Sequence, residues 1–151
     1  MATTHLDLVS QDRSVYSGDV NEIIAPGVEG QLGILPRHAP LITVLSPGEV
    51  IVRRANEPDL FFAVSGGWME VLQSKVTILA RTAERADEIN LQRADEARTR
   101  AEQLLAQGAP VSGDRASLEI ALRRSQIRLK VAGRHGPRLG QPGEGHPHDQ
   151  E

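Results

Sequence analysis

The sequence predicts a β + α chain, with an amino-terminal antiparallel β-sandwich followed by a carboxy-terminal antiparallel two-helix hairpin. Up to about Glu84 the chain falls into short β-branched or polarity-alternating segments separated by Gly, Pro, Asn and Ser clusters. Beyond that point Ala, Glu, Arg, Leu and Gln dominate, all good helix formers. Aromatic residues make up only 3% of the 151, so any core must be built from Val, Ile, Leu and Ala.

The extended segments are His5–Val9, Val20–Ile24, Glu49–Arg53, Leu60–Val64, Trp68–Leu72 and Lys75–Leu79. They are punctuated at Ser17-Gly18-Asp19, Pro47-Gly48, Asn56-Glu57-Pro58-Asp59, Ser65-Gly66-Gly67 and Gln73-Ser74. Many short strands on tight turns argue for a sandwich or barrel, and the lack of long crossover helices argues against a parallel α/β sheet. The block Glu29-Gly30-Gln31-Leu32-Gly33-Ile34-Leu35-Pro36-Arg37-His38-Ala39-Pro40-Leu41 alternates glycines and prolines with apolar residues, which predicts a sharply turned, well-packed loop. Ala83–Ala106 predicts the first helical arm, Gln107-Gly108-Ala109-Pro110 its stop, and Ser112-Gly113-Asp114 the start of a second arm reaching about Gly133. Ile89, Ala94, Ala97, Ala101 and Leu104 lie on or near one stripe of the first arm, and Leu118, Leu122, Ser125 and Leu129 on the second. A seam this rich in alanine is thin, so the hairpin's packing depends on what it docks against. The domains read from this pattern are a sandwich over 1–84, a hairpin over 85–133 and a disordered tail over 134–151, where Gly, Pro and His follow one another without an apolar period.

Composition excludes several functions. The chain has no cysteine, so neither disulfide nor thiolate chemistry is available. A net charge of −3 gives no global reason to expect nucleic acid binding. Its apolar runs fall far short of the roughly 20 residues that span a bilayer, so membrane association is expected to come through a partner. Gly27, Gly30 and Gly33 make neither a dinucleotide fingerprint nor a phosphate-binding loop, and read as turn glycines. His38 has no Cys partner, and spacing fixes no Ser or Asp partner. The carboxylates Asp7, Asp12, Asp19, Glu22, Glu29 and Glu49 have no spacing that sets a catalytic pair, so they read as solvated or interface groups. His146 and His148 beside prolines lack a fixed set of three or four ligands, so no metal site is expected there. Arg115, Arg123, Arg124, Arg128, Lys130 and Arg134 make the second arm locally basic, a surface either solvated or aimed at carboxylates.

One ordered series of motifs runs through almost all of residues 4–132. It comprises His5-Leu6-Asp7-Leu8-Val9-Ser10, Tyr16-Ser17-Gly18, the stretch from Glu29 to Gly48, Val64-Ser65-Gly66-Gly67, Thr77-Ile78-Leu79-Ala80, Glu84 and the helical arms. This series resembles the epsilon subunit of bacterial F-type ATP synthases, called delta in mitochondria. The resemblance implies a ten-stranded β-sandwich and a two-helix domain forming a noncatalytic rotor subunit. It implies a place on the central stalk, peripheral to the cytoplasmic face of the bacterial cell membrane. The expected partners are the gamma subunit, the c-ring and, through an extended hairpin, the alpha/beta hexamer, where the hairpin restrains ATP hydrolysis.

Carried over residue by residue, the resemblance places Glu29, Gln31 and His38 at the c-ring and gamma interface. Gln31 departs from the acidic residue frequent at its position and keeps a hydrogen-bonding group without charge. Ile89-Asn90-Leu91-Gln92-Arg93-Ala94 is similar to the nucleotide motif of some bacterial members, with Asn90 in place of its Asp. The implied ATP site comprises Ile89, Asn90, Arg93, Arg100, Arg124 and Arg128. No cofactor is required by this reading, and ATP enters as a regulatory ligand only. Two other classes stay open: an independent hydrolase, for which the sequence offers no coherent nucleophile, and a generic sandwich-and-hairpin interaction module.

Overall fold

The computed structural model describes residues 2–108 and 114–135. Ten strands come first: β1 (Thr4–Val9), β2 (Ser14–Val20), β3 (Glu22–Gly27), β4 (Gly30–Ile34), β5 (Leu41–Leu45), β6 (Gly48–Arg53), β7 (Leu60–Val64), β8 (Gly67–Val71), β9 (Lys75–Ala80) and β10 (Ala83–Arg85). A 3-10 turn over Ala86–Glu88 then leads to α1 (Leu91–Ala106) and α2 (Asp114–His135). The strands form one continuous sheet in the order β10-β7-β6-β3-β5-β8-β9-β1-β2, with β4 paired to β3, and it folds over on itself around a single apolar interior.

Period-two alternation drives this arrangement. In β1 Leu6 and Leu8 point inward while His5 and Asp7 point out, and in β9 Val76 and Ile78 are buried where Lys75 is exposed. Leu6, Leu8, Val20, Ile23, Val50, Val52, Phe62, Met69, Val76 and Ile78 are fully buried, so the core is aliphatic as expected, with Tyr16 packed edge-on against Phe62 at 5.9 Å between ring centres. Gly67 is required where it stands. Its φ is +152°, and a Cβ there would lie 2.0 Å from the Leu79 carbonyl oxygen on the neighbouring strand.

The structure corrects several expectations. The Glu29–Leu41 block is not a loop: it contains β4, the turn through Pro40 and the first residue of β5, and Gly27-Val28-Glu29-Gly30 closes a two-residue hairpin. Ser17-Gly18-Asp19 is not a turn but lies inside β2, opposite Asp7, Leu6 and His5. Val20–Ile24 is not one strand, because Asn21 breaks it. Its amide bonds the Arg53 carbonyl, and its side-chain Oδ1 accepts from the Ala55 amide at 2.5 Å. One pairing, β1 with β9, is parallel, which the whole intervening chain makes possible by connecting them.

Helix begins later than composition predicts. Ala83–Arg85 forms β10 on β7, and α1 starts only after Asn90, whose Oδ1 accepts from the Arg93 amide at 3.0 Å as an N-cap. Sheet pairing overrides the helical propensity of Ala83 and Glu84. At the other end α2 continues through Arg134 and His135, two residues past the expected boundary. The expected stop at Ala109-Pro110, the start at Ser112-Gly113 and the His146/His148 pair lie outside the described residues. Between the helices Ala94, Ala101 and Ser125 are buried, and Ser125 Oγ donates to the Ala121 carbonyl at 2.9 Å. Leu104 remains exposed, so the seam is as thin as its alanines imply. The hairpin lies against β7 through a second small core of Ala63, Ala86, Ile89, Val131 and Ala132, flanked by Phe61, Leu91 and Ile127.

Candidate functional site

The register of β5, β8, β9 and β1 aligns Val44, Trp68, Leu79 and Val9 across four neighbouring strands. Three of these side chains are exposed, Val44 at 38%, Trp68 at 56% and Leu79 at 55%, and Ile42 beside them is 68% exposed. Trp68 forms a ridge between two grooves. One, of about 590 Å³, is lined by Val28, Glu29, Gln31, Ile42 and Val44; the other, of about 400 Å³, by Val9, Gln11 and Arg81. A contiguous apolar row with a central Trp and a polar rim has the make-up of a protein interface core.

Two of the three expected interface residues sit on this rim. Glu29 is exposed in the β3–β4 turn, and Gln31 points outward from β4. His38 is not part of the groove lining. It belongs to the turn before β5, where its Nδ1–H donates to the Ala39 carbonyl at 2.7 Å and the Arg37 backbone takes a φ of +63°. Sequence reasoning missed the Val44–Trp68–Leu79 row, because only long-range register makes those residues neighbours.

Asp7 and Asp19, which the sequence offers only as solvated or interface carboxylates, converge on His5. Its Nδ1 is 3.0 Å from Asp19 and its Nε2 3.2 Å from Asp7, while Ser17 Oγ donates to Asp7 at 2.6 Å and Lys75 lies 3.4 Å away. The Asp19 hydrogen bond, aided by Asp7, raises the His5 pKa above its ordinary value, and the Ser17 hydroxyl leads the groups that lower that of Asp7. Ser17 gives its proton to a carboxylate, so the cluster ties strands together and presents no activated nucleophile.

The hairpin meets the sandwich at a cleft of about 430 Å³ lined by Asp12, Arg13, Arg81, Glu84, Arg124 and Arg128. Arg128 makes a two-point pair with Glu84, Nε to Oε2 at 2.5 Å and Nη2 to Oε1 at 3.0 Å. The expected nucleotide residues are only partly brought together. Arg124 and Arg128 share this cleft, whereas Arg93 and Arg100 are exposed on α1 and do not line it. Ile89 is 2% exposed inside the junction, and Asn90 is engaged as the helix cap. Among the described residues no group of three or more His, Cys, Asp or Glu could hold a metal, and no helix is long and apolar enough to cross a membrane.

Comparison with known proteins assigns this architecture. The ATP synthase epsilon chain of Herpetosiphon aurantiacus is 52% identical over 127 residues, 84% of this chain and 92% of that one. That of Chloroflexus aggregans is 49% identical over 131 residues, 87% and 93% of the two chains. Among solved structures, a chain of the Euglena gracilis mitochondrial ATP synthase, in its OSCP/F1/c-ring assembly, superposes with a TM-score of 0.72 at 26% identity, covering 89% of this chain and 83% of that one. A chain of the Tetrahymena thermophila mitochondrial ATP synthase central stalk and c-ring shares the fold at a TM-score of 0.58 and 20% identity, covering 85% and 96%. Family models for the ATP synthase delta/epsilon chain match residues 3–133, the beta-sandwich domain over residues 3–86 and the long alpha-helix domain over 87–133. With fold, motifs and relatives in agreement, the chain belongs to the ATP synthase delta/epsilon chain family, as a noncatalytic subunit of the rotor.

Proposed function

We propose that this subunit couples the c-ring to gamma through its sandwich, over about residues 1–84, and regulates ATP hydrolysis through its hairpin, over about 85–133. The observation that carries the first half is the exposed Val44–Trp68–Leu79 row, which a monomer leaves in water at a cost of roughly 25 cal/mol per Å² and a partner can cover. Gamma takes this apolar face. The polar turn carrying Glu29, with Gln31 and His38, bonds to c-subunit loops at the foot of the stalk. The subunit is thereby held peripherally at the cytoplasmic face of the bacterial membrane without inserting into it.

The second half rests on the basic residues of α2. Arg115, Arg123, Arg124, Arg128, Lys130 and Arg134 lie on one helix, and only Arg115 and Arg128 have a described carboxylate partner. An extended hairpin would offer the others to carboxylates of the alpha/beta hexamer and restrain hydrolysis. ATP is a regulatory ligand in this scheme. It requires Arg93 and Arg100 to close toward Arg124 and Arg128, since the docked arrangement leaves them apart.

Replacing Trp68 tests the interface. Loss of a central aromatic anchor costs about 2 kcal/mol or more, so Trp68→Glu should weaken binding of the full chain to its cognate gamma subunit by about 30-fold, with Trp68→Phe close to the natural chain. Unchanged binding by a folded Trp68→Glu chain would remove this face from the interface.

A further inference from the structure

The contacts at the far end of α2 do something the two-helix seam cannot. The apolar patch beneath the docked helix is made largely of small residues, Ala63, Ala86 and Ala132 with Ile89 and Val131, so it buries little area for the length of helix it must hold. Polar contacts stand at both ends of it. At one end Arg128 grips Glu84 through two nitrogens. At the other, seven residues and two turns along the same face, the His135 ring lies flat on Phe61 of β7, 3.4 Å between centres and 2° from parallel. Its Nε2 reaches to 3.5 Å from Glu49 Oε2 on β6, and both side chains are mostly withdrawn from water, at 26% and 20% exposure.

We propose that His135 is a clasp: stacked on Phe61 and facing Glu49, it pins the last turn of α2 to the sandwich and, together with Arg128–Glu84, sets how often the hairpin leaves it. When the helix departs, the half-buried Phe61 ring returns to water and two carboxylates, Glu49 and Glu84, lose their partners. Undocking therefore requires both fasteners to open, and the His135 end is the weaker one, since it lacks a two-point ion pair. The inference rests on the hairpin being able to move.

The absence of cysteine lets the full chain report this motion. Spin labels on cysteines introduced at exposed Gln73, in the β8–β9 turn, and at exposed Thr99 on α1 give the fraction of molecules with the hairpin away from the sandwich by pulsed distance measurement. Loss of an aromatic pair should raise that fraction about 2- to 10-fold in His135→Ala. His135→Phe keeps the stack and should stay within about twofold of the natural chain, and Phe61→Leu should raise the fraction by the same amount, about 2- to 10-fold, which serves as the test if His135→Ala folds poorly. In the natural chain the His135 ring protons should resonate upfield, under the Phe61 ring current. If Arg128→Ala raises the undocked fraction while His135→Ala and Phe61→Leu do not, the clasp is refuted and the mobile hairpin stands. If the hairpin stays docked even in the Arg128→Ala, His135→Ala double variant, the mobility on which the clasp rests fails as well.

Discussion

Gly67 shows how much a single position can be constrained by its neighbour across the sheet. An Ala there must hold φ near +152° and push its Cβ into the Leu79 carbonyl, so Gly67→Ala should cost about 1–3 kcal/mol or more, read as a lowered midpoint in urea with unchanged slope. A midpoint equal to the natural chain's would mean that β8 and β9 can separate freely at that point. His5 offers a prediction with a sign. Its folded pKa is raised, chiefly by Asp19, so its contribution is present below the unfolded value of about 6.5 and fades as pH rises through the folded value. The stability difference between the natural chain and His5→Gln should therefore be larger at pH 5.5 than at pH 8.5. The opposite trend in thermal melts would contradict the Asp19–His5–Asp7 bridge. Neither effect is visible in sequence order, since Gly67 meets Leu79 only through pairing of β8 with β9, and Asp19 meets His5 only through pairing of β1 with β2.

At the scale of elements, local pattern identified strands where alternation was clean. Leu60–Val64 and Glu49–Arg53 stand in the structure nearly as read, because inward Val50 and Val52 alternate with less buried neighbours in β6, and β7 is an apolar run buried on both faces except at half-buried Phe61. Glycines and prolines concealed β4 and β5: Gly30, Gly33, Pro36 and Pro40 read as loop residues, yet β4 hydrogen-bonds to β3 despite its glycines, and the prolines fall in the turn outside both strands. β10 was illegible for a different reason, since three residues with helical preference become a strand only because β7 offers an edge. The candidate site was legible in the same uneven way. The motif pointed to Glu29 and Gln31, which line the groove beside Trp68, whereas the row centred on Trp68 required a register that no local window contains. Asn90 shows a local role coexisting with a proposed ligand role. As the N-cap of α1, its replacement by Ala should cost about 0.5–2 kcal/mol, while Asn90→Asp caps equally well. Any gain in ATP affinity in Asn90→Asp, measured by titration of the isolated chain, would then be a ligand effect and not a folding effect. No saturable binding at millimolar ATP in either form would remove the nucleotide from the regulatory scheme.

The whole molecule divides its work between a packed sandwich with an exposed apolar face and a thinly attached basic hairpin. That division predicts separable losses. Removing residues 111–151 deletes the whole of α2 and should leave assembly intact while raising ATP hydrolysis. Hydrolysis rates equal to those with the full chain, both with and without a proton gradient, would make the hairpin a purely structural appendage. The central claim, that the sandwich transmits torque between the c-ring and gamma, is tested most directly by proton pumping. In membranes carrying the cognate enzyme depleted of this subunit, ATP hydrolysis should proceed with little acidification, and adding back the full chain should restore proton pumping per ATP, while the Trp68→Glu chain should not. Pumping that is already complete without the subunit, or restored equally by the Trp68→Glu chain, would contradict the account.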